Sequence, residues 1–313
     1  MTSREIVKMA IKHQTGPRVP YFIRICGDAW EALKPRAGGK SQDEFFDNDV
    51  REIWAPWWGW AIDGKDWVRA DLPTTPAKVM AWGNWQQFYD GLKAANDKGD
   101  KYNCVLIYGS HFEKANFARG IENFLADMAG EPEFARKLLN KIIDMNMAFL
   151  DCVLAGEGID GVLLGSDWGT QIDLLMSPAV WDEMIRPGEQ KEYDLVHSYG
   201  KDVWVHSCGK IDKLIPRLVD MGLDVLNPVQ PECMDIAMLK KNYGHKLTWW
   251  GAISTQTVLP FGTPDDVRVE ARRVRDLLSK DGGYIFAPSQ DLQNDVPPDN
   301  IMALLEVARE GKN

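Results

Sequence analysis

The chain lacks what several large protein classes require. No stretch approaches the roughly 18 apolar residues that cross a bilayer, so membrane insertion is not expected. Cysteine is scarce: Cys26, Cys104, Cys152, Cys208 and Cys233 are all there are in 313 residues. They are odd in number and scattered, which excludes a disulfide framework and leaves thiols free for chemistry in a reducing compartment. No long lysine or arginine cluster occurs, and the net charge is −10, which argues against a nucleic-acid surface. Neither G-x-G-x-x-G nor G-x-x-x-x-G-K-[ST] follows a β-rich run, so a dinucleotide or nucleotide fold has no support. Internal repeats, low-complexity tracts and linkers are absent too, and residues 1–313 read as one domain. The opening "MTSREIVKMAIKHQ" has no continuous apolar core or cleavage site of a secretory signal, so a cytoplasmic protein is expected.

What the chain does contain is tryptophan and a regular alternation. Seven of its 13 tryptophans fall between residues 52 and 85, either as a packed core layer or as indole faces that sandwich a flat substrate. Eight short β-rich runs alternate with helical patterns: 18–25, 65–72, 102–109, 161–167, 202–208, 223–229, 246–253 and 283–289. Several are continuously apolar, as strands covered by helices should be. Between them, residues 132–158 place Phe134, Leu138, Ile142, Met145 and Phe149 on one helical face. Two further helices begin with Ser177 before Pro178 and with Thr263 before Pro264, a cap followed by proline at the first helical position. Eight strand-helix units in a chain of this length predict an α/β fold of the (β/α)8 TIM barrel type.

In such barrels the chemistry sits at the carboxyl ends of the strands. Those ends carry Arg24, Cys26 and Asp28; His111 and Glu113; Asp167, Trp168 and Gln171; His206 and Cys208; Gln230, Glu232 and Cys233; Ser254 and Gln256; and Ser289, Gln290 and Asp291. The pair in "VWVHSCGK" stands out, because residues two apart on a strand project to the same side. His206 and Cys208 can hold zinc through imidazole and thiolate; the plainer alternative is a satisfied rim histidine beside a small buried thiol. Cys233 is the preferred third ligand, since thiolate is the better zinc donor, with Glu232 and Asp291 as carboxylate alternatives. Asp167, flanked by Gly165 and Gly169, is the candidate catalytic carboxylate: it would orient a ligand histidine, bind a substrate hydroxyl or act as an acid, unless it only caps a helix. His111, Trp168, Gln171, Gln230, Ser289 and Gln290 are candidate substrate contacts.

The segments "GSDWGTQIDLLMSP", "VHSCGKIDKLIPRLVDMGLDVLNPVQPECMD", "WWGAISTQTVLPFGTPDDV" and "GGYIFAPSQDLQNDVPPDNI", with the opening "MTSREIVKMAIKHQTGPRVP" and "FEKANFARGIENFLADM", resemble the uroporphyrinogen decarboxylase-like superfamily along nearly the whole chain. That resemblance implies a (β/α)8 barrel and two branches of function. Metal-free decarboxylases carry an arginine-rich R-Q-A-G-R segment after the first strand. Here the comparable "IRICGDAW" keeps Arg24 but places Asp28 where a second arginine would stand, and an acid there repels a polycarboxylate. Asp66 is the nearest candidate for the decarboxylase acid. Zinc methyltransferases carry the His-x-Cys pair matched by His206 and Cys208, and many add a cysteine in a G-C-G loop after the last strand. This sequence reads "APSQDLQND" there, with Ser289 and Gln290, a departure shared with relatives that demethylate methyl ethers. The resemblance therefore implies methyl transfer between a small methylated compound, such as an aromatic methyl ether, and a corrinoid (cobalamin) carried by a partner protein, more than a coenzyme M methyltransferase. A metal-independent decarboxylase using Asp66 or Asp167, and a non-catalytic barrel that holds a corrinoid or tetrapyrrole, are the alternatives.

Overall fold

The computed structural model describes residues 1–61 and 78–312; the run expected as a strand at 65–72, with Asp66, lies outside them. Among the described residues nine strands are present: β1 Val50–Trp54, β2 Trp57–Ala61, β3 Lys78–Trp82, β4 Tyr102–Ile107, β5 Gly161–Gly165, β6 Asp202–His206, β7 Val225–Asn227, β8 Thr248–Ile253 and β9 Tyr284–Pro288. Strands β4 to β9 fall within six of the expected runs. Strand β1 was not expected, and it occupies the sheet position next to β4. Together β1 and β4–β9 make one seven-stranded sheet in that order, with every neighbouring pair parallel. Strands β2 and β3 form a separate antiparallel hairpin.

The sheet curls so that both of its edges reach the segment around residues 20–26. Tyr21 bridges Phe286 and Ile25 bridges Leu292 on the β9 side, and the Asp49 amide donates to the Tyr21 carbonyl at 3.0 Å on the β1 side. This segment was expected as a strand, yet it forms only isolated bridges. The cause is local: Pro17 and Pro20 supply no amide proton, and the amides of Tyr21 and Ile23 donate to the side chains of Asp49 and Asn48, at 2.9 Å each, instead of to a neighbouring strand. The architecture is thus a curled parallel α/β sheet of seven strands with an extended segment beside it, a coarser result than the expected eight-stranded barrel.

Alternation divides the side chains into two layers. Val50, Tyr102, Cys104, Leu106, Leu163, Trp204, Val225, Trp250, Ile285 and Ala287 form the cluster inside the curl, joined by Val7 and Ile11 of the first helix, Ser3–Ile11. The opposite faces pack against the helices. Ser177 and Thr263 cap as the sequence predicts, their hydroxyls accepting from the Val180 and Asp266 amides. In the helix Pro132–Leu154 the buried stripe runs through Leu138, Leu139, Ile142, Asn146 and Leu150; Met145 sits at its edge and is exposed. Among the described residues no helix is long and apolar enough to cross a membrane.

Trp204 is wholly buried inside the curl, edge-on to Trp250 at 5.1 Å, with its indole donating to the Tyr102 hydroxyl. Trp204→Ala should therefore lower the unfolding free energy by about 3–5 kcal/mol, measured by urea denaturation. A loss below about 1 kcal/mol would show that the interior is not close-packed.

Candidate functional site

Past the carboxyl ends of the strands lies a cavity of about 420 Å³, lined among others by Arg24, Trp54, Tyr108, Glu113, Asp167, His206, Gln290 and Asp291. The sheet register builds its centre. Gly165 of β5 pairs with His206 of β6, and His206 with Asn227 of β7. Two residues beyond the first pair, Asp167 and Cys208 stand abreast, and the Cys208 amide donates to the Asp167 carboxylate at 2.7 Å. Glycines allow this proximity. Gly209 has φ +82, and a Cβ there would lie 2.6 Å from the Gly169 carbonyl carbon, so the two loops touch backbone to backbone.

His206 is held in one tautomer. Its Nδ1 lies 2.6 Å from the Asn227 Oδ1, and the Asn227 amide nitrogen donates to the Trp250 carbonyl at 3.2 Å. The Asn227 oxygen must therefore accept from Nδ1–H, which leaves Nε2 with a free lone pair. That nitrogen is 3.3 Å from the Cys208 sulfur and 3.9 Å from an Asp167 oxygen. Nitrogen, sulfur and carboxylate oxygen all lie within 4.8 Å of one another. An oriented imidazole beside thiol and carboxylate is a donor set that suits zinc, with Asn227 as the outer partner that fixes the ring. Burial, and then the Asp167 charge, push the Cys208 thiol up to about 12. The thiol therefore keeps its proton near neutrality unless a cation displaces it.

Several expected site residues stand elsewhere. Cys233, the preferred third ligand, is not in the cluster: its thiol donates to the Gln171 side-chain oxygen at 3.2 Å, and Asp167 takes the place beside His206 and Cys208. Glu232 accepts from Ser254, and Asp291 pairs with Arg24 at 2.6 Å. Trp168 is completely buried, edge-on to Trp181, because it points from the strand end into the helical layer rather than into the cavity. His111 is buried behind the sheet, with Nε2 on the Ile185 carbonyl. Ser289 is buried and accepts from the Thr255 amide; Gln230 is buried and accepts from the Gly209 amide, where it braces the Cys208 loop. Gln171 is exposed outside the cavity lining. Gln290 does reach the centre, its amide donating to the Cys208 sulfur at 3.4 Å.

Asn227, Glu52, Trp54 and Tyr108 were missed as site residues. Asn227 could have been found by counting two residues on from Val225 along its strand; Glu52 and Trp54 lie on the strand assigned elsewhere. Glu52 and Glu113 are both pushed up to about 7, chiefly by burial, with the Arg24 cation opposing the rise for Glu52 and the Asp167 charge adding to it for Glu113. Arg24 bonds Glu52 at 3.1 Å as well as Asp291. Of the tryptophan-rich stretch, part is packed as a core layer and part is exposed. Trp57, Trp58 and Trp60 are buried, while Trp54 and Trp82 are each 56% exposed, and Trp57 stacks on Trp82 at 3.9 Å across the hairpin.

The sequence model of the uroporphyrinogen decarboxylase (URO-D) family matches residues 69–311. A uroporphyrinogen decarboxylase from Azoarcus sp. (strain BH72) is 23% identical over 188 residues, 57% of this chain and 48% of that protein, so the chain spans about half the length of that relative. Among solved structures, a methyltransferase from Methanosarcina mazei superposes with a TM-score of 0.69 over 99% of each chain at 15% identity, a likeness of fold.

The raised carboxyls have a sign-definite consequence. Between their ordinary value of 4.5 and about 7, the folded protein holds protons that the unfolded chain has released, so their contribution to stability is lost as pH rises through this window. Glu113→Gln and Glu52→Gln should each flatten the decline relative to the parent, by about 1–3 kcal/mol between the ends of the window. Parallel stability profiles from denaturation at stepped pH would refute the assignment.

Proposed function

The chain belongs to the uroporphyrinogen decarboxylase family, and we propose that it is a zinc-dependent methyltransferase moving a methyl group between a small methylated compound and a corrinoid. The observation that carries this reading is the convergence of Asp167, His206 and Cys208 at an open cavity. When bound, zinc would supply a Lewis acid next to the substrate heteroatom and ionise the Cys208 thiol. Asn227 keeps the His206 lone pair turned toward that position, and Gln290 steadies the sulfur. The fold likeness to a methyltransferase supports the same reading.

Charge disfavours tetrapyrrole decarboxylation. Asp167 and Asp291 line the cavity beside Glu113, whereas its cation, Arg24, is already bonded to Glu52 and Asp291 and is not free to grip a carboxylate. A substrate with many carboxylates would meet repulsion there. A neutral ring fits better. Trp54 and Tyr108 stand half-exposed in the lining, and aromatic faces of this kind contribute about 0.5–1.5 kcal/mol to a stacked ring beyond its buried area. We therefore assign an aromatic methyl ether as the methylated compound, and a partner protein docking over the open end as the carrier of the corrinoid.

The test is methyl transfer with cob(I)alamin across a panel of methoxylated aromatics, run beside metal analysis of the purified protein. Cys208→Ser and His206→Ala should each remove an equivalent of zinc and lower kcat at least about 100-fold, roughly 2.7 kcal/mol of barrier. Full activity of chelated, metal-free protein would end the proposal.

A further inference from the structure

Behind the sheet a second polar cluster is sealed between the helix His111–Arg119 and the helix Arg186–Ser198. His111, Glu189 and Glu192 are each at most 2% exposed. One donor atom from each lies within 4.8 Å of the others. Glu189 and Glu192 share a helix face, being three residues apart. The Ile185 carbonyl, at the end of a π-helical turn, lies 3.1 Å from the His111 Nε2. A carbonyl can only accept, so Nε2 carries a proton and Nδ1 is the atom that faces the two carboxylates.

Donors of good geometry are few for the acceptors collected there. The Ser110 hydroxyl lies 3.2 Å from Glu189 Oε1, 2.5 Å from Glu192 Oε2 and 3.2 Å from the His111 Nδ1, and it has a single proton to share among them. Asn146 donates to the other Glu192 oxygen at 2.9 Å. Lys114, though close, donates to the Tyr108 and Gly109 carbonyls. Glu189 Oε2 makes no hydrogen bond of good geometry, although the fully buried Tyr193 hydroxyl, which has no other partner, lies against that carboxylate. Burial pushes the Glu189 carboxyl above its ordinary range. A positive charge completes the cluster, either a proton on the His111 ring, which its acidic neighbours favour against burial, or a metal ion in its place.

The distances indicate which cation. His111 Nδ1 stands 3.4 Å from Glu189 Oε1 and 3.7 Å from Glu192 Oε2, longer than the roughly 2.7–3.2 Å of an N–H···O bond. Donors about 2.0–2.2 Å from a shared tetrahedral ion are separated by roughly 3.3–3.6 Å, close to what is found. We propose that His111, Glu189 and Glu192 form a buried three-donor site for a divalent first-row ion of the zinc class, clamping the two helices together. Neutral imidazole and two carboxylates balance a dication, and the Ile185 carbonyl orients the ring as the outer partner of a ligand histidine does. The ion at this site is structural, and it shares no ligand with the cluster at the strand ends.

The experiment uses full-length protein carrying both His206→Ala and Cys208→Ser, so that the cavity cluster is disabled. Zinc-supplied and dialysed, this protein should retain about one equivalent of zinc, and its unfolding temperature should fall by roughly 5 °C on chelation and recover with added zinc. Adding Glu189→Gln, or separately Glu192→Gln, should abolish both the retained zinc and the response. If folded His206→Ala/Cys208→Ser protein holds no zinc and its unfolding temperature ignores zinc and chelator alike, the cluster binds only a proton and the proposal fails. Loss of zinc from the parent on Cys208→Ser, or its absence, bears on the cavity reading alone.

Discussion

The register of three adjacent parallel strands is the constraint on which the site depends. Gly165, His206 and Asn227 pair across β5, β6 and β7, so the residues just beyond them emerge at one height. Shifting β6 by one residue would turn His206 from the interior to the helical face and replace it with Val205 or Ser207. Trp204 prevents that slip. It fills the interior two residues below His206, wedged against Tyr102 and Trp250, and a one-residue shift would move this large side chain out of its space. Packing energy in the core thus sets the direction of a ring at the cavity floor.

Electrostatics then sorts the carboxylates by what surrounds each. Asp167 is nearly half exposed and accepts a hydrogen bond from the Cys208 amide. Glu52 and Glu113 lie deeper, and desolvation outweighs the nearby cations and raises both to about 7. Arg24 cannot neutralise the whole set, because its guanidinium is divided between Glu52 and Asp291. A cavity with this balance accepts a cation or a neutral molecule more readily than an anion.

Much of this was legible because it rests on periods. Strand alternation identified His206 with Cys208, and the continuous apolar runs located six of the seven strands of the sheet. Asp167 was recognised as a cavity residue, but its place beside the pair depends on β5 meeting β6, and Cys233, a thiol just past the next strand end, was preferred as the third ligand. Strand β1 was missed because "VREIW" is short and charged at two of five positions: Arg51 reaches outward to Asp100 and Asn103 while Glu52 turns in toward Arg24. The alternation there is between two charges, which no hydrophobic pattern reveals. His111 was misplaced for a similar reason. A histidine just past a strand end is expected at the mouth, but here the helix begins at that residue and turns its ring away to the buried acids of a neighbouring helix.

The same helix ties the back of the molecule to its front. His111 and Glu113 are two residues apart, about 200° around a helix of 3.6 residues per turn, so they face opposite ways: His111 into the sealed cluster and Glu113 into the cavity. Lys114 lies between them, buried and held below its ordinary range by desolvation, with both Glu192 and Glu113 opposing that fall. A change in charge at either end must therefore be felt by a cation that touches both fields in a poorly screened interior. Because its ammonium is fixed on the Tyr108 and Gly109 carbonyls at the end of β4, any response would reach the backbone that carries Tyr108 along the cavity wall.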